Sequence, residues 1–328
     1  MIHIKATYGN KMKKILILFV LPFLFFSESF AASIFEFDEE DFTINMLWNK
    51  VANLEAGKRP KISLVLGGGG ARGFSHIGVF RVLQEENVPI DLVVGTSIGS
   101  IAGAFYCAGI PLDKVEELSK EINWKSISNV SIPSIVAMLT KEELLSNEQV
   151  ENFLKKNIGD LRFEQLKTPL VCVATDLNTG ERVLLKEGSV AFAARASSTL
   201  PGFFKPVEYR QRYLVDGGLA ENIPVGVAKL FDSDIIIAVA VSADITKNAP
   251  KSVFMTLMQS IYIQGKTLDH ENLQLADVII RPEVEQMSTA DLKHAYQSID
   301  KGFVAAKQSM KNIKMTIINR TQEKYLIE

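Results

Sequence analysis

Leu92-Val-Val-Gly95-Thr-Ser97-Ile-Gly99-Ser-Ile-Ala-Gly-Ala-Phe105 is the stretch from which the rest of the chain can be read. Leu92 to Val94 is a short apolar run of the kind a buried strand needs. Ile98 to Ala108 is rich in small residues and predicts a helix that packs closely on a sheet. Between them stands Gly95-Thr-Ser97-Ile-Gly99, a Gly-x-Ser-x-Gly string. A sharp strand-to-helix turn brings neighbouring chain so near that the positions flanking the serine must be glycine. The turn also sets the hydroxyl at a helix N-terminus, whose partial positive charge favours a developing alkoxide. Ser97 is thus a candidate nucleophile. Taken as a bare string, the same residues also describe a glycine-rich helix start that Ser97 merely caps.

Upstream, Ile62-Ser-Leu-Val-Leu66 reads as another buried strand and runs into Gly67-Gly-Gly-Gly-Ala-Arg-Gly73. Phe74 to Glu86 comes next, with apolar residues at helical spacing, Ile77, Phe80, Val82 and Leu83. Gly68, Gly70 and Gly73 fit the Gly-x-Gly-x-x-Gly fingerprint of dinucleotide sites, with Asp91 as a ribose-binding acid. That acid belongs at the C-terminal end of the second strand, however, and Asp91 begins its strand. The other reading is an oxyanion hole: consecutive glycines leave backbone N–H groups bare and able to converge on one negative oxygen. Both glycine turns come after strands of one sheet and should meet at its C-terminal edge. Arg72 either adds positive charge there or braces the loop.

A nucleophilic serine needs a base. The chain holds four histidines, His3, His76, His270 and His294. None sits in a tight glycine turn, and His76 falls in the first turn of a helix, where packing or capping explains it. Asp216 ends the strand Tyr213-Leu-Val215 and precedes Gly217 and Gly218, so backbone can crowd close to it. A carboxylate in a partly desolvated pocket gains basicity. On its own, Asp216-Gly-Gly reads as no more than a tight turn.

Further strands are expected at Leu170–Ala174, Arg182–Leu185, Ile235–Val241 and Val278–Ile280. Helices are expected from Pro111, after Ser189, over Val253–Ile261, after Ser288 and over much of 297–312. Strands interleaved with helices predict an α/β fold, a mainly parallel central sheet flanked by helices in three layers. One domain is expected over residues 60–312, after an acidic, loosely packed lead-in at 32–59 and before a C-terminal tail at 313–328.

The chain has 328 residues, 47% hydrophobic and 23% charged, enough to bury a large core without a metal or disulfide. A formal net charge of −2 gives no footing for a nucleic-acid partner. Lys11, Lys13 and Lys14 precede an apolar run from Ile15 to Phe26, and Ser29 and Ala31 are small residues suited to cleavage before Ala32. The run is short of the ~20 residues that span a bilayer. Residues 1–31 therefore read as an export signal, and a periplasmic, outer-membrane-associated or secreted location is expected. Cys107 and Cys172, the two cysteines, lie among apolar neighbours and read as buried free thiols.

Three motifs in this order, Gly68-Gly-Gly-Ala-Arg-Gly73, Gly95-Thr-Ser-Ile-Gly99 and Asp216-Gly-Gly218, resemble the patatin-like phospholipase family, in particular its bacterial branch related to the catalytic part of neuropathy target esterase. Ala174-Thr-Asp-Leu-Asn-Thr-Gly180 and Ala196-Ser-Ser-Thr-Leu-Pro-Gly202 agree with it, and the resemblance covers about residues 61–305. It implies a carboxylic ester hydrolase with a Ser–Asp dyad, no catalytic histidine, and no metal or cofactor. Ser97 would be the nucleophile and Asp216 the general base. The N–H groups of Gly68, Gly69 and Gly70 would form the oxyanion hole, with Arg72, Gly73, Gly95, Gly99, Gly217 and Gly218 in support. The implied substrates are phospholipids or lysophospholipids, met at a membrane surface. A non-catalytic lipid-binding protein of the same fold is the alternative. The apolar segment 124–145, with Ile135 and Met138, fits either a lipid-facing cap or a core-packing connection.

Overall fold

In a computed structural model of the protein, the structure describes residues 39–123, 144–241 and 253–325. The expected export signal and most of the apolar segment 124–145 lie outside the described residues. The chain divides into two compact units, 1–47 and 48–328. The described part of the first is the beginning of helix α1 (Glu39–Val51), so the lead-in expected to be loosely packed is helical there. The second unit is built on one sheet.

Four strands form its centre: β1 (Ile62–Leu66), β2 (Leu92–Thr96), β3 (Leu170–Asp176) and β7 (Ile235–Val239). Every residue in all four is buried. Strands buried along their whole length have both faces covered, which is why they read as continuous apolar runs and not as alternating ones. The outer strands are β4 (Arg182–Leu185), β5 (Val207–Tyr209), β6 (Arg212–Asp216) and β8 (Val278–Ile280). They pair in the order β5-β6-β3-β2-β1-β7-β8, with β4 also on β3. β3, β2, β1, β7 and β8 run parallel, while β4 and β6 are antiparallel to β3 and β5 to β6. The sheet is therefore mixed, with a parallel centre.

Helices α2 (Ser75–Glu85), α3 (Ile98–Cys107), α4 (Leu112–Glu121), α5 (Glu148–Ile158) and α6 (Val190–Ser197) accompany the first strands. Two short helices, α7 (Gly218–Glu221) and α8 (Val225–Lys229), lead into β7. Beyond β7 come α9 (Val253–Leu273) and α10 (Ser298–Tyr325). On one face of the sheet Val65, Val94, Val171, Val173 and Ile236 pack with Ile223, Val225, Val227 and Leu273 into a single apolar cluster. The tail expected from 313 is instead the second half of α10. Ile313, Ile317 and Ile318 are buried there, so a boundary at 312 cuts a packed helix. α10 crosses α2 closely: a Cβ on Gly302 would stand 1.9 Å from the Ser75 carbonyl oxygen, and one on Gly78 2.0 Å from that of Ile299.

This topology sets up the site. β1 is flanked by β2 on one side and β7 on the other, so the chain turns opposite ways at the C-terminal end of β1, where α/β sheets form their crevice. The glycine strap 67–70 leaves β1 at that edge, and the serine turn leaves β2 beside it.

Candidate active site

Thr96 ends β2 opposite Val173 of β3, and Asp216 ends β6 opposite Ala174, the next residue of β3. One strand thus sets the register of both functional turns. Ser97 takes φ +55° and ψ −124°, a backbone conformation an L-residue adopts only under constraint. The constraint is close packing. A Cβ on Gly99 would lie 2.2 Å from the Leu66 carbonyl oxygen, and one on Gly95 2.6 Å from the Gly99 carbonyl. Glycine at both positions lets α3 start against β1 and turns Ser97 outward. Ser97 is half-buried while Thr96 and Gly99 beside it are buried.

The Ser97 side chain lies beside the Asp216 carboxylate, near enough to hold its proton affinity down. Asp216 is buried, its Oδ1 accepts the Gly218 N–H at 2.8 Å, and burial pushes its carboxyl up to about 6 against the lowering effects of Ser97 and Gly218. Its main chain is fixed on both sides. The Asp216 N–H donates to Thr199 O at 2.8 Å, and Thr175 Oγ1 donates to Asp216 O at 3.0 Å. Gly217 is glycine for room, since a Cβ would stand 2.1 Å from Val173 O.

The strap is placed with equal definition. Gly67 N–H donates to Val239 O at 3.2 Å, and Gly67 O accepts from His76 Nε2 at 2.9 Å. Because a carbonyl only accepts, the proton of His76 is on Nε2. Burial lowers the imidazole to about 4, so it is neutral near pH 7 and its one donor is spent on the strap. Gly68 departs from the role expected of it: its N–H donates to Asn222 O at 3.0 Å and has no hydrogen left for an oxyanion. Its lack of a side chain still matters, because a Cβ there would lie 3.2 Å from Ser97 Cβ. Ala71 N–H goes to Thr289 O and Arg72 N–H to Gly69 O, so the N–H groups of Gly69 and Gly70 are those the strap leaves without an acceptor among the described residues. Arg72 is buried and braces the loop, donating from Nε to Met287 O at 2.7 Å. Gly73 makes room for Ile98, whose Cγ2 would be 2.1 Å from a Cβ.

Other residues join the site, among them Ser197 and Thr199 of the segment 196–202, to which the sequence assigns no individual role. Ser197, at the end of α6, accepts the Ser97 N–H on Oγ at 2.9 Å and donates to Val173 O at 2.6 Å. With Thr199 it forms one segment that holds both Ser97 and Asp216. Asn147 Nδ2 in turn holds Thr199 Oγ1 at 2.9 Å. Burial raises the phenol of Tyr262 on α9, which lies beside Thr289 and near enough to feel the charges of Asp216 and Arg72. The carboxylate considered for a ribose has another occupation: Asp91 is gripped by Arg59 at 2.6 and 2.9 Å and caps the start of β1 through Ile62 N–H. His294 pairs with its neighbour Asp291, and Cys107 and Cys172 are buried and free. Among the described residues no group of three or more His, Cys, Asp or Glu side chains is placed to hold a metal ion, and no helix is long and apolar enough to cross a membrane.

A glycine strap, a serine turn and a carboxylate turn that meet at the C-terminal edge of an α/β sheet define a strand–elbow–helix protein with a serine and an aspartate set side by side. The chain belongs to the patatin-like phospholipase family, whose model matches residues 64–229. An uncharacterised NTE family protein of Mycobacterium tuberculosis is 34% identical over 183 residues, which cover 56% of this chain and 49% of that one. Human patatin-like phospholipase domain-containing protein 6 is 35% identical over 185 residues, 56% of this chain and 13% of that one. The chain thus spans about half the length of the mycobacterial relative it matches and far less of the human one. A solved structure of human GIVD cytosolic phospholipase A2 with a fluorophosphonate inhibitor superposes with a TM-score of 0.49 at 10% identity, over 88% of this chain and 65% of that one.

Proposed function

We propose that this chain is a serine lipid acyl hydrolase that cleaves carboxylic esters of phospholipids or lysophospholipids through an acyl-Ser97 intermediate. The observation that carries this reading is that Ser97 and a buried Asp216 stand side by side, next to two bare strap amides. As Ser97 Oγ attacks the ester carbonyl, Asp216 takes its proton. The carbonyl oxygen, now negative, accepts from the N–H groups of Gly69 and Gly70. The tetrahedral intermediate collapses, the ester C–O bond breaks, and Asp216 returns the proton to the departing alcohol or lyso-lipid oxygen. A water then gives its proton to Asp216, attacks the acyl carbonyl and frees the fatty acid, after which the proton returns to Ser97. A carboxyl near 6 suits this work: it is ionised at neutral pH yet far more basic than an exposed aspartate.

Membership of a phospholipase family supports lipid esters as substrates, reached by transient contact with a membrane surface. The basic and apolar opening of the sequence supports export, with action in the periplasm, at the outer membrane or outside the cell. The test is mass spectrometry of products after incubation with a mixed-lipid extract. Free fatty acid with matching lyso-lipid or glycerophosphodiester is expected from the wild type and not from Ser97→Ala. Lipid that is bound but recovered intact, or equal release by both proteins, rejects the reading in favour of a lipid-binding protein.

A further inference from the structure

Two bare amides make an oxyanion hole only if the strap that carries them is held still. Most of its anchors belong to regular structure: Val239 ends β7 and His76 begins α2. Asn222 does not. It comes after α7 and precedes Pro224, outside any helix or strand, yet its carbonyl takes the Gly68 N–H. Its side chain is wedged between the two glycine turns. Asn222 Oδ1 lies 2.5 Å from where a Gly68 Cβ would stand and 3.2 Å from where a Gly218 Cβ would stand. Movement of Asn222 therefore moves the peptide that lies against Ser97.

What fixes Asn222 is Asp269 of α9. One carboxylate oxygen accepts Asn222 Nδ2 at 3.0 Å and the other accepts the Ile223 N–H at 3.1 Å, so a single side chain pins two consecutive residues. The carboxylate is half-buried, and no cation pairs with it among the described residues. Burial, aided by the charge of Glu221, raises it to about 6 in spite of those two hydrogen bonds. This is an unfavourable place for a negative charge. An acceptor on both oxygens is what the geometry gains from it, because an asparagine there turns one acceptor into a donor facing a donor.

We propose that Asp269 is a positioning residue which, through Asn222, seats the glycine strap so that Gly69 and Gly70 present their N–H groups to the oxyanion beside Ser97. The inference rests on the acyl-hydrolase reading above. Asp269 touches no reacting atom, and its effect belongs to the transition state, where the amides act, and not to lipid binding.

The experiment measures kcat and KM on p-nitrophenyl butyrate and the inhibition constant of 1,1,1-trifluorooctan-2-one, whose adduct with Ser97 carries an oxyanion. Wild type, Asp269→Asn and Asn222→Ser are compared, with thermal unfolding to confirm that each variant is folded. Asn222→Ser keeps the main-chain carbonyl for Gly68 but gives up the arm to Asp269, and serves if Asp269→Asn does not fold. A misaimed oxyanion hole is expected to lower kcat by roughly 10- to 100-fold, with KM within about twofold. The trifluoroketone should weaken by the same factor as kcat/KM. A folded variant with wild-type kcat, or one whose KM rises at constant kcat, overturns the inference alone. A wild type without Ser97-dependent turnover overturns both it and the hydrolase reading.

Discussion

Replacing Asp216 by asparagine should make this protein more stable and nearly inactive, and both effects stem from one property of the carboxyl. In the native chain burial raises it from 3.8 to about 6. Below pH 4 it is protonated in folded and unfolded states alike and has no effect on their balance. Between about pH 4 and 6 the unfolded chain releases the proton while the folded one retains it, so stability falls as pH rises. Above 6 the loss is complete. An elevation of about two pH units at about 1.4 kcal/mol each comes to ~3 kcal/mol, against a total of roughly 5–15 kcal/mol for a typical domain. An asparagine side chain at this position has no charge to desolvate. It keeps an oxygen for the Gly218 N–H and offers its amide to Ser97, so neither partner is orphaned. Urea unfolding of both proteins from pH 4 to pH 8 measures the effect. The two should coincide at pH 4, with the variant ahead by about 3 kcal/mol at pH 8. A variant less stable at pH 8, or a difference that does not change with pH, refutes the claim that burial sets this carboxyl.

Ser97→Gly should be more stable than Ser97→Ala by about 1–2 kcal/mol in thermal unfolding, because only glycine adopts φ +55° and ψ −124° without strain. Gly99→Ala should cost about 3 kcal/mol, since its Cβ meets a main-chain oxygen of the fully buried β1 at 2.2 Å and neither side can withdraw; the same denaturation assay reads it. On a soluble ester, log kcat/KM should climb with pH below about 6 and level off above, as Asp216 must be ionised to take the serine proton. A profile flat from pH 5 to 8 would contradict that assignment.

Much of this arrangement is legible in the sequence because short-range chemistry dictates it. Gly95 and Gly99 bracket a turn that other residues cannot make, and β1, β2 and β7 are mostly apolar because the sheet is covered on both faces. The residues that escape a sequence reading act across long separations. Ser197 reaches Ser97 from 100 positions away, and Asp269 reaches Asn222 from 47. A buried serine in a small-residue helix looks the same whether or not its hydroxyl holds a nucleophile's main chain. Gly68 misleads for a related reason: four glycines in a row do not show which N–H finds an acceptor, and that depends on where Asn222 comes to lie. α5 and the full length of α10 also escape, the latter because its polar face beyond 312 resembles a solvated tail while Ile313, Ile317 and Ile318 are buried.

If Ser97 is a nucleophile activated by Asp216 beside two bare amides, it must react with an electrophile that mimics an ester. Peptide mass mapping after reaction with an alkyl fluorophosphonate tests it directly. A phosphonyl group is expected on the peptide carrying Ser97 and none on Ser97→Ala, with labelling of Asp216→Asn slower by roughly 100-fold or more. No adduct on the folded wild type, an adduct on a different residue, or an undiminished rate in Asp216→Asn would contradict it.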